Sequence, residues 1–288
     1  MNRTKISFAG SGALASGLAR LLHAQGYAIG EIVSREAPAS RRRAASLAHK
    51  VGAKAVAWSA ASLDCDILWL AVPDGEIEKL ARQLAGRRQL PAIVLHPSGA
   101  LSSAVLAPLS RRGVHTASAH PMMTFVAGEP PSLKGACFAV EGDAVALRKA
   151  RETARKLGAR CFAIDPANKA LYHAFGSMLS PMLVAELAAA EQVGLAAGVP
   201  KAEVRRVMEP IVRRTIGNAL RSGAAASLSG PLVRGDLATI AAHLKALGRT
   251  PESRVYRALT EYAAEVLPVK RPEETKKLLR RRSRTISH

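Results

Sequence analysis

The sequence predicts an α/β chain: a strand-helix alternating, parallel-sheet domain over residues 1–164, followed by an all-helical domain over residues 165–288. Three observations carry that reading. Short apolar runs alternate with amphipathic stretches through the first half, as a parallel sheet with crossover helices requires. Glycines stand at fixed places between the first run and the first amphipathic stretch, and beyond Asp165 strand patterns stop.

The first run, K-I-S-F-A at residues 5–9, is β-prone, and residues 13–25 carry Leu14, Leu18, Leu21 and Leu22 at helical spacing. Between them lies G-S-G-A-L-A at 10–15. A basic start, an apolar stretch and small residues also outline a secretory signal. The glycines separate the two readings. A dinucleotide-binding turn needs Gly10 to bend, Gly12 to let the backbone approach a pyrophosphate, and a small third residue, Ala15, where helix packs on strand. With Ala13 and Leu14 it would open a helix whose unpaired N–H groups face the phosphates, the Rossmann-type arrangement.

Further strands are expected at 28–33, 53–57, 66–72, 92–95 and 114–119, with helices at 39–50 and 75–84. Their near-continuous apolar runs suit strands covered on both faces. After a loop at 128–132, a strand-helix-strand at 136–140, 144–157 and 160–164 closes the domain. The second domain reads as helices at 166–197, 200–221, 236–247, 251–266 and 272–282, several with proline in the first turn, and a basic tail at its end.

Composition narrows the class. At 288 residues and 48% hydrophobic, the chain can build a full core, which excludes disorder and fibrous repeats. The longest apolar stretch, 178–199, is interrupted by Glu186, Glu191 and Gln192, so it reads as a buried helix and not a membrane span. Cys65, Cys137 and Cys161 are far apart and lack metal spacing, which fits a reducing cytoplasm and no metal site. A formal charge of +20 favours anionic ligands. It is spread over residues 41–43, 205–206, 213–214 and the tail, with few aromatics interleaved, so a solvated surface is expected and nucleic acid is not.

The end of the second strand would meet the adenosine ribose. Ser34 and Arg35 there suit a 2′-phosphate, so NADP is the expected cofactor; Glu36 pulls the other way. Three later loops share the carboxyl rim: Ala71-Val72-Pro73-Asp74, His96 to Ala100 with Ser98 and Gly99, and His120 to Thr124. Histidine has the pKa that proton transfer beside a nicotinamide needs, although a loop histidine also serves by bonding backbone. Tyr172, His173 and Ser177 lie near the start of the long helix, with Ser180 continuing the His173 face. Lys169 in the same stretch reads as a solvated lysine at a helix start.

These stretches together, with A-V-P after the fourth strand, H-P-S-G-A-L-S after the fifth, A-H-P-M-M-T-F after the sixth, Y-H-A, and S-G-P-L-V-R-G-D at 229–236, resemble a largely uncharacterised bacterial family over residues 4–266. Its members join a Rossmann-like domain to a helical domain of unknown function. It is similar to pyrroline-5-carboxylate reductases and, more distantly, to 6-phosphogluconate dehydrogenase-like and prephenate dehydrogenase groups. The resemblance implies an NADP-dependent reductase or dehydrogenase, often a homodimer through the helical domain. It places Gly10, Gly12 and Ala15 on the pyrophosphate, Ser34 and Arg35 on the ribose phosphate, and Val72, Pro73, Ser98 and Gly99 at the nicotinamide, with Ala71 in the same loop. His120, His173 and Ser177 are then the catalytic candidates, and His96, Thr124, Tyr172 and Arg234 the substrate-side ones.

Two departures limit the analogy. Met178-Leu179-Ser180-Pro181 stands where pyrroline-5-carboxylate reductases carry G-S-G-P-A, and the G-x-x-G-x-x-x-K-x-x-N helix of hydroxyacid dehydrogenases is missing. Asp236 either caps the next helix or accompanies an anion-holding Arg234. The expected activity is hydride transfer from NADPH to a C=N or C=O carbon of a small carboxylate-bearing substrate. The alternative is a non-catalytic NADP-responsive protein with a partner for its basic tail.

Overall fold

The computed structural model describes residues 4–126 and 132–280. Most of the expected loop at 128–132 and the end of the basic tail lie outside the described residues. Eight strands form one sheet: β1 (Lys5–Ala9), β2 (Ala28–Ser34), β3 (Lys54–Ala57), β4 (Ile67–Leu70), β5 (Ile93–His96), β6 (His115–Pro121), β7 (Cys137–Gly142) and β8 (Arg160–Ala163), in the order β3-β2-β1-β4-β5-β6-β7-β8. The first six run parallel. β7 is antiparallel to β6, and β8 is parallel to β7.

Alternation along each strand divides its side chains between two cores. Ile67 and Trp69 of β4 join Ile6, Phe8 and the inner faces of α1 (Ala13–Ala24), α2 (Pro38–Lys50) and, further along the sheet, α5 (Ala144–Lys156). Leu68 and Leu70 face the other way, onto α3 (Asp74–Ala85) and the short α4 (Ala107–Ser110). Asp143 caps α5 by accepting from Val145 N at 2.8 Å and Ala146 N at 3.3 Å.

The expected strands and helices of this half sit within a few residues of those observed. Added to them are α4 and two 3-10 turns, Trp58–Ala60 and Ser103–Leu106, too short to leave a periodic signal.

The chain divides into two compact units at Met178 and Leu179, fourteen residues later than the expected division at 164/165. The intervening helix α6 (Lys169–Ser177) therefore belongs with the sheet. The expected continuous helix at 166–197 is a composite: a 3-10 turn at Pro166–Asn168, then α6, then a π-helical turn at Met178–Met182, then α7 (Leu183–Ala196). Pro181 lies inside that π turn, and its missing N–H and ring exclude regular α-helical bonding there.

The second unit continues with α8 (Val204–Ser222), the one-turn helices α9 (Ala224–Ser227) and α10 (Pro231–Arg234), then α11 (Leu237–Leu247), α12 (Pro251–Val266) and α13 (Pro272–Arg280). Asp236 caps α11 through Thr239 N at 3.0 Å, and Thr250 caps α12 through Ser253 N at 3.2 Å. Its core is small, centred on Ile240, Leu244 and Leu279. The expectation of a buried apolar helix is overturned here: α7 has no buried residue, and Val184 is 64% exposed. Among the described residues no helix is long and apolar enough to cross a membrane.

Candidate functional site

The sheet order reverses direction at β1 and β4, and ligands of open parallel sheets bind outside the carboxyl ends of the strands at such a point. Gly10 leaves β1 with φ +115°, and a Cβ there would lie 2.1 Å from the Ala71 carbonyl oxygen at the end of β4. Only glycine lets the two strand ends approach this closely. Gly12 precedes α1 without a side-chain cap, and a Cβ added to it meets nothing within 4 Å, so open space lies over the uncapped helix start. Ala15 is 1% exposed where α1 rests on the sheet.

These features border a cavity of about 690 Å³ whose lining includes Ala13, Leu14, Ser34, Arg35, Val72 and Pro73. Uncapped N–H groups and the positive end of the helix dipole face that space, the chemistry of an anion site. A dinucleotide therefore fits the residues present.

At the ribose end, β2 runs to Ser34, so Arg35 and Glu36 follow the strand. Ser34 Oγ donates to the Arg35 carbonyl at 3.1 Å. Glu36 accepts from Ser59 Oγ at 2.7 Å, which engages the carboxylate that would compete with a phosphate. Of the three consecutive arginines, Arg43 lines the cavity.

The two His-Pro loops differ. His96 is fully buried: its Nδ1 accepts from Ser98 N at 3.2 Å and its Nε2 faces the Ser102 carbonyl at 3.2 Å. Burial, then the charge of Lys169, pushes its pKa down to about 4, so the ring is a neutral loop brace. It is not placed to touch substrate. Ser98 is likewise spent on the loop, donating to Asp74 Oδ2 at 2.8 Å and accepting from Ala100 N and Leu101 N.

The reversal of β7 and β8 determines how the remaining groups meet. Both strands run away from the carboxyl rim, so the chain leaves β8 at the far side of the sheet and α6 climbs back. Lys169, at the foot of α6, reaches the level of Ser118, and Tyr172, one turn higher, reaches His120. Ser118 and His120 share a face of β6 because strand side chains alternate.

Lys169 is 1% exposed and donates from Nζ to the Ser98 carbonyl at 2.8 Å and to Ser118 Oγ at 2.7 Å. Burial pulls its pKa down to about 8, against the opposing fields of Glu141 and Asp74. It is the principal residue that the sequence reading undervalued. The available signal was its position three and four residues before Tyr172 and His173, on one helix face.

Above Lys169, His120 Nδ1 and Tyr172 Oη are 2.9 Å apart, with ring centroids 5.5 Å apart in an edge-on arrangement. His173 stands edge-on to His120 at 6.3 Å between centroids and is exposed. Gly99 underlies both: a Cβ there would be 2.7 Å from His173 Cδ2 and 3.0 Å from His120 Nε2. Burial first, then Lys169 and His173, lowers the His120 pKa to about 4, and burial raises that of Tyr172 to about 12. At neutral pH the pair is a neutral imidazole sharing one hydrogen bond with a phenol.

Ser177 Oγ donates back to the His173 carbonyl at 3.0 Å, a bond within the helix. Thr124 is exposed beyond β6, and Arg234 is exposed at the end of α10 in the second unit. No group of three or more His, Cys, Asp or Glu suited to a metal occurs among the described residues.

Comparison with known proteins agrees with this architecture. Residues 2–121 match a Rossmann-like domain, and residues 136–263 match a domain of unknown function, DUF2520. No curated protein matches the sequence. Solved structures of the same fold include a protein of Bacteroides fragilis (22% identical, TM-score 0.75, covering 89% of this chain and 96% of that one). A 1-pyrroline-5-carboxylate reductase of Streptococcus pyogenes is 18% identical with a TM-score of 0.61, covering 89% and 96%. A reductive aminase of Aspergillus terreus, in complex with NADPH and ethyl-5-oxohexanoate, is 16% identical with a TM-score of 0.64, covering 97% and 100%.

Proposed function

We propose that this chain, a Rossmann-like domain followed by a DUF2520 domain, is an NADP-dependent reductase acting on a C=N or C=O carbon of a small, carboxylate-bearing substrate. The observation that carries the reading is the grouping of His120, Tyr172 and His173 around Gly99, over a buried lysine, on the rim that also bears the glycine turn. A protein that only sensed the nucleotide would have use for the turn and none for that grouping.

Backbone N–H groups of Gly12, Ala13 and Leu14 would hold the pyrophosphate, and Ser34, Arg35 and Arg43 the ribose 2′-phosphate. Val72 and Pro73 wall the path toward the nicotinamide. When bound, the nicotinamide supplies the hydride. His173, the exposed ring of the pair, hands a proton to the substrate nitrogen or oxygen. His120 stays neutral and fixes Tyr172, while the Lys169 ammonium beneath favours negative charge developing above it. The excess of cations over the chain draws a carboxylate-bearing substrate.

The protein acts as a homodimer through its helical unit, where Val207 and Ile211 of α8 are 58% and 65% exposed. It works in the cytoplasm, where its three free cysteines stay reduced.

Titration calorimetry of NADPH and NADH with wild type and Arg35→Ala tests the cofactor reading. NADPH is expected to bind more tightly than NADH, and Arg35→Ala to weaken NADPH by roughly 1.5 to 3 kcal/mol, as for a lost charge-assisted contact. No binding of either nucleotide would overturn it.

A further inference from the structure

β3 pairs with β2 so that Ala57 lies opposite Ser34, which brings Trp58, the next residue, to the edge beside Arg35. Ser59 ties this 3-10 turn to the Arg35 loop through Glu36. Trp58 is half-buried and, among the described residues, is the one aromatic side chain lining the glycine-turn cavity. The Arg87 guanidinium lies over the ring at 4.8 Å from its centroid. Arg87 Nη1 donates to the Ala61 carbonyl at 2.5 Å and Nη2 to the Trp58 carbonyl at 2.6 Å. Arg87 is thereby fixed as a backing for the indole, with both Nη groups bonded to backbone carbonyls.

A flat π surface backed by a cation and bordering the same cavity as two further guanidiniums has a specific chemical complement. The guanidiniums suit phosphate, and the indole suits the face of a heteroaromatic base. Part of the indole packs against the core that α3 covers, and the part that borders the cavity remains open to a flat ring. We propose that Trp58 is the platform on which the adenine ring of a 2′-phosphorylated adenine nucleotide stacks, with Arg87 holding the platform in place. The inference rests on the dinucleotide reading of the cavity and adds to it the residue that reads the base.

The chain has two tryptophans, and the other, Trp69, is 1% exposed within β4. Because Trp58 and not Trp69 borders the cavity, a change in indole emission on adding ligand reports on Trp58, over a constant Trp69 signal. The probe is adenosine 2′,5′-bisphosphate, which carries the base and the 2′-phosphate but no nicotinamide to accept energy from tryptophan. Titrated into the full chain, it is expected to quench emission saturably, and Trp58→Phe, which keeps a stacking ring, to bind by calorimetry within about threefold of wild type with the quench abolished. Trp58→Ala is expected to raise Kd about tenfold or more, the range for a lost base-aromatic stack. Trp69 emission and circular dichroism establish that each variant is folded; should the alanine variant not fold, the phenylalanine variant still decides the question. Calorimetric binding with unchanged indole emission, or a folded Trp58→Ala with wild-type affinity, would overturn the platform while leaving the cofactor reading intact. If neither this probe nor NADPH binds the wild type, both fall together.

Discussion

Lys169 Nζ lies 2.7 Å from Ser118 Oγ, joining the foot of α6 to the middle of β6 across 51 residues of sequence. A fully buried ammonium held by a hydroxyl and a carbonyl, without a carboxylate in contact, is costly to keep charged. Burial has lowered its pKa from 10.5 to about 8. Between those values the unfolded chain binds more protons than the folded one, so stability rises with pH across that window. Relative to Lys169→Met, wild type is expected to gain on the order of 3 kcal/mol between pH 7.5 and 10.5, measured by urea unfolding. Parallel pH profiles for the two proteins would show that the ammonium is hydrated.

His120 and His96, both brought down to about 4 from 6.5, give the opposite end of the pH scale. Here too the unfolded chain binds more protons inside the window, so stability is lost as pH falls from 6.5 toward 4. In NMR titrations both rings are expected to move only below about pH 5, and His120 to titrate at higher pH in Lys169→Met, because a repelling charge is gone. A His120 midpoint near 6.5 in wild type would contradict the dry, cation-backed site.

Two glycine substitutions should separate fold from site. Gly10→Ala sets a Cβ against backbone at positive φ and is expected to cost about 3 kcal/mol and abolish nucleotide binding. Gly99→Ala meets two histidine side chains that can turn aside, so about 1 kcal/mol is expected, with NADPH binding kept and the His120 NMR signals displaced. Chemical denaturation, calorimetry and the same NMR spectra check the pair; equal losses in both variants would refute the distinction.

The exposed apolar side chains of α8 give a test of assembly. Val207 and Ile211 are one turn apart on one face, so Ile211→Asp would carry a charge into a helix-helix contact between copies. Sedimentation is expected to show a wild-type dimer and a dimer dissociation constant raised by at least about tenfold in the variant, by the cost of burying an unpaired carboxylate. A monomeric wild type at micromolar concentration would exclude the dimer.

What the sequence made legible was local. The glycine turn, the strand periodicities and the cap at Asp236 each depend on residues a few positions apart, and each occurs as expected. What it concealed depended on distant partners. Lys169 looks solvated because nothing near it announces Ser98 and Ser118, which lie 71 and 51 residues away. His96 looked available for a different reason: its partners, Ser98 and Ser102, are near in sequence, but a loop folding back over its own histidine leaves no periodic signal. The apolar stretch after Met178 implied a buried helix, yet no residue of α7 is buried within the single chain.

The reversal of β7 and β8 relative to the first six strands also governs where this molecule can be divided. A fragment ending after Pro121 would carry the nucleotide turn but leave β6 as a raw edge and omit the helix that supplies Lys169, Tyr172 and His173. A graft that exchanged everything after β6 for a relative's sequence would replace Lys169, Tyr172 and His173 while keeping His120. Transplanting the site between homologues requires residues 93–178 to travel as one piece, because strand and helix here share custody of a single buried charge.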